Sequence, residues 1–280
     1  MFYLFLVSAI WAFSFGLIKG QLTGLDPFLV AAIRLFLALL VFLPFTSLRR
    51  CPPFTGLALV VIGAIQYGLM YAFYTASFAH LQSYEVALFT IFTPLYVALV
   101  HDLFRGRFHR RFFLMATLAV AGSTIVLYRG LPAHSFNQGF LWLQGANLCF
   151  AFGQVAYCEQ MKRQKLADRQ IFSLLYLGGV LATAPVAAYH GSWIQLGQLT
   201  AQQLLTLIYL GTLASGLCFF GWNYGARRVN AGILAVSNNL KIPLAVFCSG
   251  WLFGERIALE QLLIGSVLLL GALMLQPQQR

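Results

Sequence analysis

Three charged side chains fall within or beside stretches of sequence that are otherwise apolar. Arg34 and Lys241 each lie inside such a stretch, and Glu85 stands at the start of another. A charge in hydrocarbon costs at least about 2.5 kcal/mol on insertion scales, so each group should face water, a carboxylate or an anionic ligand. We expect Lys241 to contact a substrate anion or serve coupling, with a structural partner as the alternative. Arg34 is expected to bind a substrate carboxylate, to pair with Glu85 in a gate, or to reach the membrane interface.

A second set of candidate binding residues is aromatic. It comprises Tyr67, Tyr71, Tyr74, Phe219, Trp222 and Tyr224. The first three, with Phe78, recur at i, i+4, i+7 and i+11, which places them on one face of a regular helix. Aromatic walls would enclose a fused-ring ligand by stacking and apolar contact. Ordinary helix packing explains the same pattern equally well.

Three amides complete the candidate site. Asn223, Asn238 and Asn239 stand in mostly apolar sequence, where an unpaired amide is costly. Each offers both a donor and an acceptor, so together they would suit the polar ring atoms of a ligand. Hydrogen bonding between helices, without any ligand, is an equal interpretation.

Composition restricts the elements that position these residues. The chain has 280 residues, of which 60% are hydrophobic and 9% charged, and its mean hydropathy is +0.79. Soluble domains have far more charge, so the sequence predicts an all-α integral membrane protein with the lipid bilayer as its solvent. The net charge of +11 is scattered in short clusters between apolar segments, which argues against a nucleic-acid partner.

Hydropathy predicts ten membrane-spanning helices. Their expected positions are 2–19, 28–47, 56–78, 84–104, 111–128, 139–161, 170–190, 202–224, 230–252 and 257–275. Most of the 18 Lys and Arg residues fall in the loops on one side if both termini are cytoplasmic. The positive-inside rule therefore predicts cytoplasmic N and C termini.

The two halves of the chain resemble each other. A shift of 149 residues places Pro94 on Pro243, and neighbouring shifts align glycines. The sequence thus predicts two five-helix repeats, 1–130 and 139–280. Five spans is an odd number, so the second repeat would enter the membrane inverted, as in many secondary transporters. Pro94 and Pro243 are expected to break their helices at equivalent points and to act as hinges.

These features resemble the drug/metabolite transporter superfamily, in its ten-span, two-repeat EamA-like branch. The resemblance covers nearly the whole chain and is carried by residues 10–15, Arg34, Pro94, Pro243 and the Gly-Glu-Arg turn at 254–256. Within that superfamily the chain is similar to the bacterial biotin transporters over 41–45, 93–96, 222–226 and 238–239. The resemblance implies a multi-pass protein of the bacterial inner membrane that works by alternating access.

The expected function is uptake of biotin or a similar small carboxylate. Arg34 or Lys241 would bind the carboxylate, while the aromatic and amide groups enclose and orient the rest. Export of amino acids or related metabolites is the alternative. The chain has no HExxH, GxSxG or paired-acid motif, so we do not expect an enzyme. Nor do we expect a cofactor or a metal, and a monomeric carrier is compatible with the sequence.

Overall fold

The computed structural model describes residues 1–22, 24–77, 80–81, 83–127, 138–162, 164–253 and 258–275, without the side chains of 15–20, 83–84 and 249–253. The predictions at Phe78 and at the 254–256 turn lie outside the described residues. Helices make up the fold in the order α1 (Phe2–Gln21), α2 (Pro27–Phe42), α3 (Pro53–Gly63), α4 (Met70–Ser77), α5 (Ser83–Phe89), α6 (Thr93–Arg105), α7 (Arg110–Leu127), α8 (Gln138–Lys162), α9 (Asp168–Ile171), α10 (Ser173–Tyr189), α11 (Ala201–Tyr209), α12 (Cys218–Ala226), α13 (Ala231–Phe253) and α14 (Leu259–Met274).

The all-α membrane prediction is confirmed. Within the described residues, seven helices are long and apolar enough to cross a membrane, and two shorter apolar helices flank them at Phe2–Ser14 and Leu259–Met274. The seven are Pro27–Phe45, Pro53–Ser77, Glu85–Arg105, Arg110–Leu127, Asp168–Tyr189, Ala201–Ala226 and Ala231–Cys248. Several of the seven consist of two α-helices joined by a π or 3-10 segment, so that each apolar stretch forms one long helical unit.

Helix ends follow the local sequence. Asp26 caps α2 through a hydrogen bond from the Leu29 amide to its carboxylate (2.9 Å), and Pro27 occupies the first turn, where no amide proton is needed. Helix α6 ends at Gly106, whose φ of 61° lies in the left-handed region that glycine adopts without strain. These caps place the chain reversals between the apolar rods.

Two π segments interrupt the longest rods. Ala64–Leu69 joins α3 to α4, and Leu210–Leu217 joins α11 to α12. Each lies at a similar position within its half of the chain. A π segment widens the helix and shifts the register of the residues that follow it, and such segments are frequent at functional sites.

Helix packing repeats between the two halves. Helix α1 packs on α13 as α8 packs on α6, and α12 packs on α1 as α4 packs on α8. Helix α10 packs on the first π segment, while α2 packs on the second. The two contacts in each of these pairs are equivalent when the helices of the two predicted repeats are matched in order.

Backbone-to-backbone contact joins α3 to α10. A Cβ added at Gly178 would lie 1.9 Å from the Val60 carbonyl oxygen, and one added at Gly63 would lie 2.0 Å from that of Leu175. Only glycine permits this approach, which brings the first π segment against α10.

The two prolines differ in their local structure. Pro94 follows a 3-10 turn, Thr90–Phe92, and occupies the first turn of α6; the Thr93 hydroxyl donates to the Thr90 carbonyl at 2.7 Å. The break expected there is present. The break expected at Pro243 is absent, because α13 continues through that residue as one helix. A proline removes only one backbone donor, and close packing of α13 on α1, α6 and α7 holds the helix together.

Candidate functional site

Lys241 lies near the middle of α13, beside the aromatic ring of Trp11 on α1. Its ammonium nitrogen is 5.8 Å from the centroid of the Trp11 ring, within the range of a cation–π contact. Among the ion pairs of the described residues, none brings a carboxylate within 4.0 Å of this nitrogen. The side chain is half-buried. Lys241 therefore supplies a positive charge that an anionic ligand would neutralise.

An aromatic cluster surrounds Trp11. Its ring centroid is 5.1 Å from that of Trp222, 5.4 Å from that of Phe219 and 6.3 Å from that of Phe150. The indole nitrogen of Trp11 donates to the Ala214 carbonyl in the second π segment at 2.8 Å, which fixes the plane of the ring. Rings from α1, α8 and α12 thus form one continuous aromatic wall next to Lys241.

Tyr67, in the first π segment, adds a further ring to this wall. Its ring stacks on Phe219 with centroids 4.5 Å apart and on Tyr176 at 5.8 Å. Tyr71 packs against the same cluster of side chains as Tyr67, although the π segment ends between them. Tyr74 packs in a different cluster, so the predicted common face does not extend to it.

The amides of the site are already paired with glutamines. Gln66 and Asn223 exchange two hydrogen bonds, of 3.1 and 3.2 Å, and the Asn223 amide also donates to the Tyr67 hydroxyl at 3.1 Å. Gln154 and Asn238 form a similar reciprocal pair, at 3.2 and 3.3 Å. Asn223 and Asn238 thus make hydrogen bonds between helices in this structure.

The second amide pair is tied to the aromatic wall. The indole nitrogen of Trp222 donates to the Gln154 side-chain oxygen at 3.0 Å, the same oxygen that accepts from Asn238. All of these side chains are buried. A ligand that offers one donor and one acceptor side by side could replace either partner of a reciprocal amide pair.

Arg34 occupies a separate position on α2. It is 8% exposed, its Nε donates to the Ser215 hydroxyl at 3.1 Å, and its guanidinium lies 5.6 Å from the centroid of the Tyr71 ring. A side chain buried to this degree does not extend to the membrane interface. The proposed ion pair with Glu85 is absent among the described contacts, because α2 packs on α10 and the second π segment whereas α5 packs on α7 and α8. Glu85 itself is 3% exposed.

Other predicted site residues lie apart from the aromatic wall. Tyr74 packs in a cluster with Leu81, Val86 and Leu143. The Asn239 amide donates to the carbonyls of Ile91 (3.0 Å) and Ala119 (3.3 Å), tying α13 to the start of α6 and to α7.

Tyr224 packs on side chains outside the aromatic wall. It stacks on Phe220 with centroids 5.6 Å apart, and the Arg228 guanidinium lies 3.3 Å from the centre of its ring.

Sequence reasoning missed four contributors: Trp11, Gln66, Phe150 and Gln154. Trp11 lies within residues 10–15, which carry the family resemblance, but the sequence analysis gave it no role. Gln66 and Gln154 are amides in apolar sequence, and the argument that selected the asparagines would have selected them too. Nothing in the local sequence around Phe150 separates it from other phenylalanines in apolar helices.

One cluster at the end of α6 has the side chains of a metal site. The Asp102 carboxylate oxygen lies 3.1 Å from His101 Nδ1 and 2.6 Å from His109 Nδ1, and the ligand atoms of all three lie within 4.8 Å of one another. Arg105, Arg107 and Arg110 stand in the same loop region. The positive charges of these arginines would repel a metal cation. The two histidine rings and the His109 backbone amide therefore serve to hold the Asp102 carboxylate.

Comparison with known proteins defines the family. The model of the EamA-like transporter family matches residues 1–128 and 137–276. The chain belongs to the EamA-like transporter family. It is a multi-pass protein of the bacterial inner membrane.

Relatives of this EamA-like protein carry names that specify a substrate. It is 38% identical over 282 residues to a probable biotin transporter of Pseudomonas aeruginosa, covering 98% of this chain and 96% of that one. It is 34% identical to the biotin transporter of Salmonella typhimurium and 32% identical to that of Escherichia coli, covering 96% of this chain and 90% of theirs. A crystal structure with 17% sequence identity superposes with a TM-score of 0.79 over 98% of this chain and 94% of that one, which shows a shared fold.

Proposed function

We propose that this chain takes up biotin across the inner membrane as a secondary transporter, by alternating access. The arrangement would be ten membrane-spanning helices in two inverted repeats, 1–130 and 139–280, with both termini in the cytoplasm. Lys241 and the adjoining aromatic wall would bind the substrate.

Three observations support the repeat arrangement. The family model matches the chain twice, at 1–128 and 137–276. The π segments recur at corresponding places, Ala64–Leu69 and Leu210–Leu217. The packing of α1 and α8 on equivalent helices also corresponds between the halves. Two similar units related by a two-fold axis in the membrane can exchange conformations, and that exchange opens the site to each side in turn.

The orientation is supported by side-chain contacts at one end of the bundle. Glu159 near the end of α8 pairs with Arg105 at 3.2 Å and with Lys162 at 2.7 Å. Arg227, just after α12, pairs with Asp168 at the start of α9 at 2.5 Å. The basic loops therefore meet at a single end, as the positive-inside rule requires of the cytoplasmic side.

The observation that carries the substrate assignment is Lys241 beside Trp11 without a carboxylate partner among the described ion pairs. Biotin has a carboxylate at one end and a fused bicyclic ureido ring at the other. The carboxylate would pair with Lys241, and the bicycle would lie against Trp222 and Phe219. The ureido group presents a donor next to an acceptor, so it would exchange hydrogen bonds with the amides of Asn223 or Asn238.

The remaining predicted residues take supporting positions in this proposal. Arg34, Tyr71 and Tyr74 would form a second cationic and phenolic surface on the substrate path, and Glu85 would line its other end. Pro94 would permit bending where α6 begins, and Pro243 would permit it within α13 during the conformational change. We assign Asn239 and Tyr224 to helix packing.

The test is uptake of labelled biotin at nanomolar concentration by cells that lack their own carrier. Lys241→Met keeps the length of the side chain and removes its charge, while Lys162→Met, at an exposed ion pair, is the matched control. A charge-assisted hydrogen bond contributes about 1.5–3 kcal/mol, so Lys241→Met should lower uptake roughly ten- to hundredfold. The control should retain the parent rate.

Each other outcome has a definite meaning. Saturable uptake that survives Lys241→Met would refute the carboxylate contact while leaving biotin as the substrate. Absent uptake by the parent, with normal amounts in the membrane, would refute the biotin proposal and favour export of amino acids or related metabolites. Competition by unlabelled metabolites then identifies the substrate.

A further inference from the structure

A cleft of about 740 Å³ runs between α1 and α12 on the outside of the bundle, and Lys241 is not among the residues that line it. Its walls are mostly apolar and include Leu6, Leu213 and Leu217. Leu6 is 45% exposed and Leu217 is 51% exposed, so the cleft opens to the surroundings of the helices. In a membrane protein those surroundings are lipid acyl chains, so the apolar walls of the cleft face lipid and not water.

The polar groups of the cleft are gathered at one end. Asp168, Arg169, Tyr224 and Arg228 line that end. The Asp168 carboxylate is already neutralised, since it pairs with Arg227 at 2.5 Å and accepts a hydrogen bond from the Tyr157 hydroxyl. Burial lowers the pKa of Arg227, but the hydrogen bond and charge of Asp168 outweigh it, so that the net pKa is raised and the pair stays ionised.

Two cations remain at this end. Among the ion pairs of the described residues, none involves Arg169 or Arg228, and both side chains are exposed. The Arg228 guanidinium is positioned by a hydrogen bond to the Tyr224 carbonyl at 2.7 Å and by the Tyr224 ring 3.3 Å away. The cleft thus has apolar walls and a positively charged mouth.

The length of the apolar part matches one leaflet. At 1.5 Å per residue, Leu213 lies roughly 16 Å along the helix axis from Tyr224, which is about half of the 30 Å hydrocarbon thickness. A ligand of this shape has an acyl chain that reaches the midplane and an anion at the membrane surface.

We infer that the cleft between α1 and α12 binds an anionic phospholipid of the cytoplasmic leaflet, with its phosphate on Arg169 and Arg228 and an acyl chain along Leu6, Leu213 and Leu217. The inference rests on the orientation in the proposed function, which places the arginines at the cytoplasmic surface. It does not depend on the transported substrate. A lipid held there would cover α1 and α12, two helices that also carry Trp11 and Trp222 of the aromatic wall.

The experiment measures lipid binding to the purified full-length chain after removal of native lipids in an uncharged detergent. Phosphatidylglycerol, phosphatidylcholine and sn-glycerol 3-phosphate are added separately, and bound lipid is counted by native mass spectrometry. The variant Arg169→Gln/Arg228→Gln removes both charges. The variant Arg49→Gln/Arg50→Gln, at exposed residues outside the cleft, is the matched control.

We expect one tightly bound phosphatidylglycerol, weaker phosphatidylcholine and no bound glycerol phosphate. A juxtamembrane basic residue contributes about 1 kcal/mol toward anionic lipid, so the Arg169→Gln/Arg228→Gln variant should bind phosphatidylglycerol roughly thirtyfold less tightly. The control variant should bind it like the parent. Leu213→Trp, which fills the apolar part, should weaken lipid binding while the arginines remain.

The proposal is overturned by equal binding of phosphatidylglycerol and phosphatidylcholine, or by full binding in the Arg169→Gln/Arg228→Gln variant. Displacement of lipid by glycerol phosphate would equally refute it, because the site would then recognise a free phosphate. Size-exclusion profiles identify variants that fail to fold, for which Leu213→Trp provides the second measurement. The experiment measures lipid binding and not transport, so a negative result can be told apart from a failure of biotin uptake.

Discussion

Replacing Asn223 by leucine isolates the amide pair that joins the two halves of the chain. The substitution removes three hydrogen bonds, two with Gln66 and one with the Tyr67 hydroxyl, at 3.1 to 3.2 Å. The two side chains left behind, Gln66 and Tyr67, are buried and lose their partner without gaining access to water. Hydrogen bonds between membrane helices average about 0.6 kcal/mol and reach about 1.7 kcal/mol. Asn223→Leu should therefore lower the free energy of unfolding by about 2 to 4 kcal/mol.

A double-mutant cycle separates this interaction from the change in packing. Gln66→Leu alone should cost about as much, whereas Gln66→Leu/Asn223→Leu should cost less than the sum of the two single losses, by a coupling energy of about 1 to 3 kcal/mol. Unfolding by detergent denaturation of the purified protein measures each free energy. Gln261→Leu, at an exposed position on α14, is the control and should cost little. Additive losses in the double variant would refute the paired geometry.

Two other substitutions test the packing and the aromatic wall. Gly178→Ala places a Cβ 1.9 Å from the Val60 oxygen, so it should destabilise the fold by about 1 to 3 kcal/mol or more in thermal unfolding. Gly197→Ala, which meets nothing within 4 Å, should not, and equal effects would refute the close contact. Trp11→Phe keeps a ring but loses the 2.8 Å hydrogen bond to Ala214, so it should raise the KM for biotin several-fold. An unchanged KM would show that the orientation of the Trp11 ring does not contribute to substrate binding.

Much of the site could be predicted by one argument applied to single residues. A charge or an amide in an apolar helix is expensive wherever the helix packs, so Arg34, Lys241, Asn223 and Asn238 were identifiable without knowing their neighbours. The same argument applies to Gln154, which was overlooked. The partners themselves depend on which helices meet, and that information is distributed over the whole chain.

Periodicity was reliable for the existence of helices and less so for their faces. The spacing of Tyr67, Tyr71 and Tyr74 predicts one face for a regular helix with 3.6 residues per turn, whereas the structure places Tyr67 and Tyr71 in one cluster and Tyr74 in another. Equivalent prolines also proved unequal, since Pro94 follows a break and Pro243 does not. Packing around each helix decides whether a missing hydrogen bond becomes a bend.

Composition and hydropathy are enough to identify a helical membrane protein with charged and amide groups among its apolar helices. Those properties follow from composition and from the free energy of transfer into hydrocarbon, which each residue contributes locally. The three-dimensional packing was needed to show that Arg34 donates to Ser215 and that Lys241 lies beside Trp11. These contacts join residues far apart in the chain, so they depend on how the helices pack together.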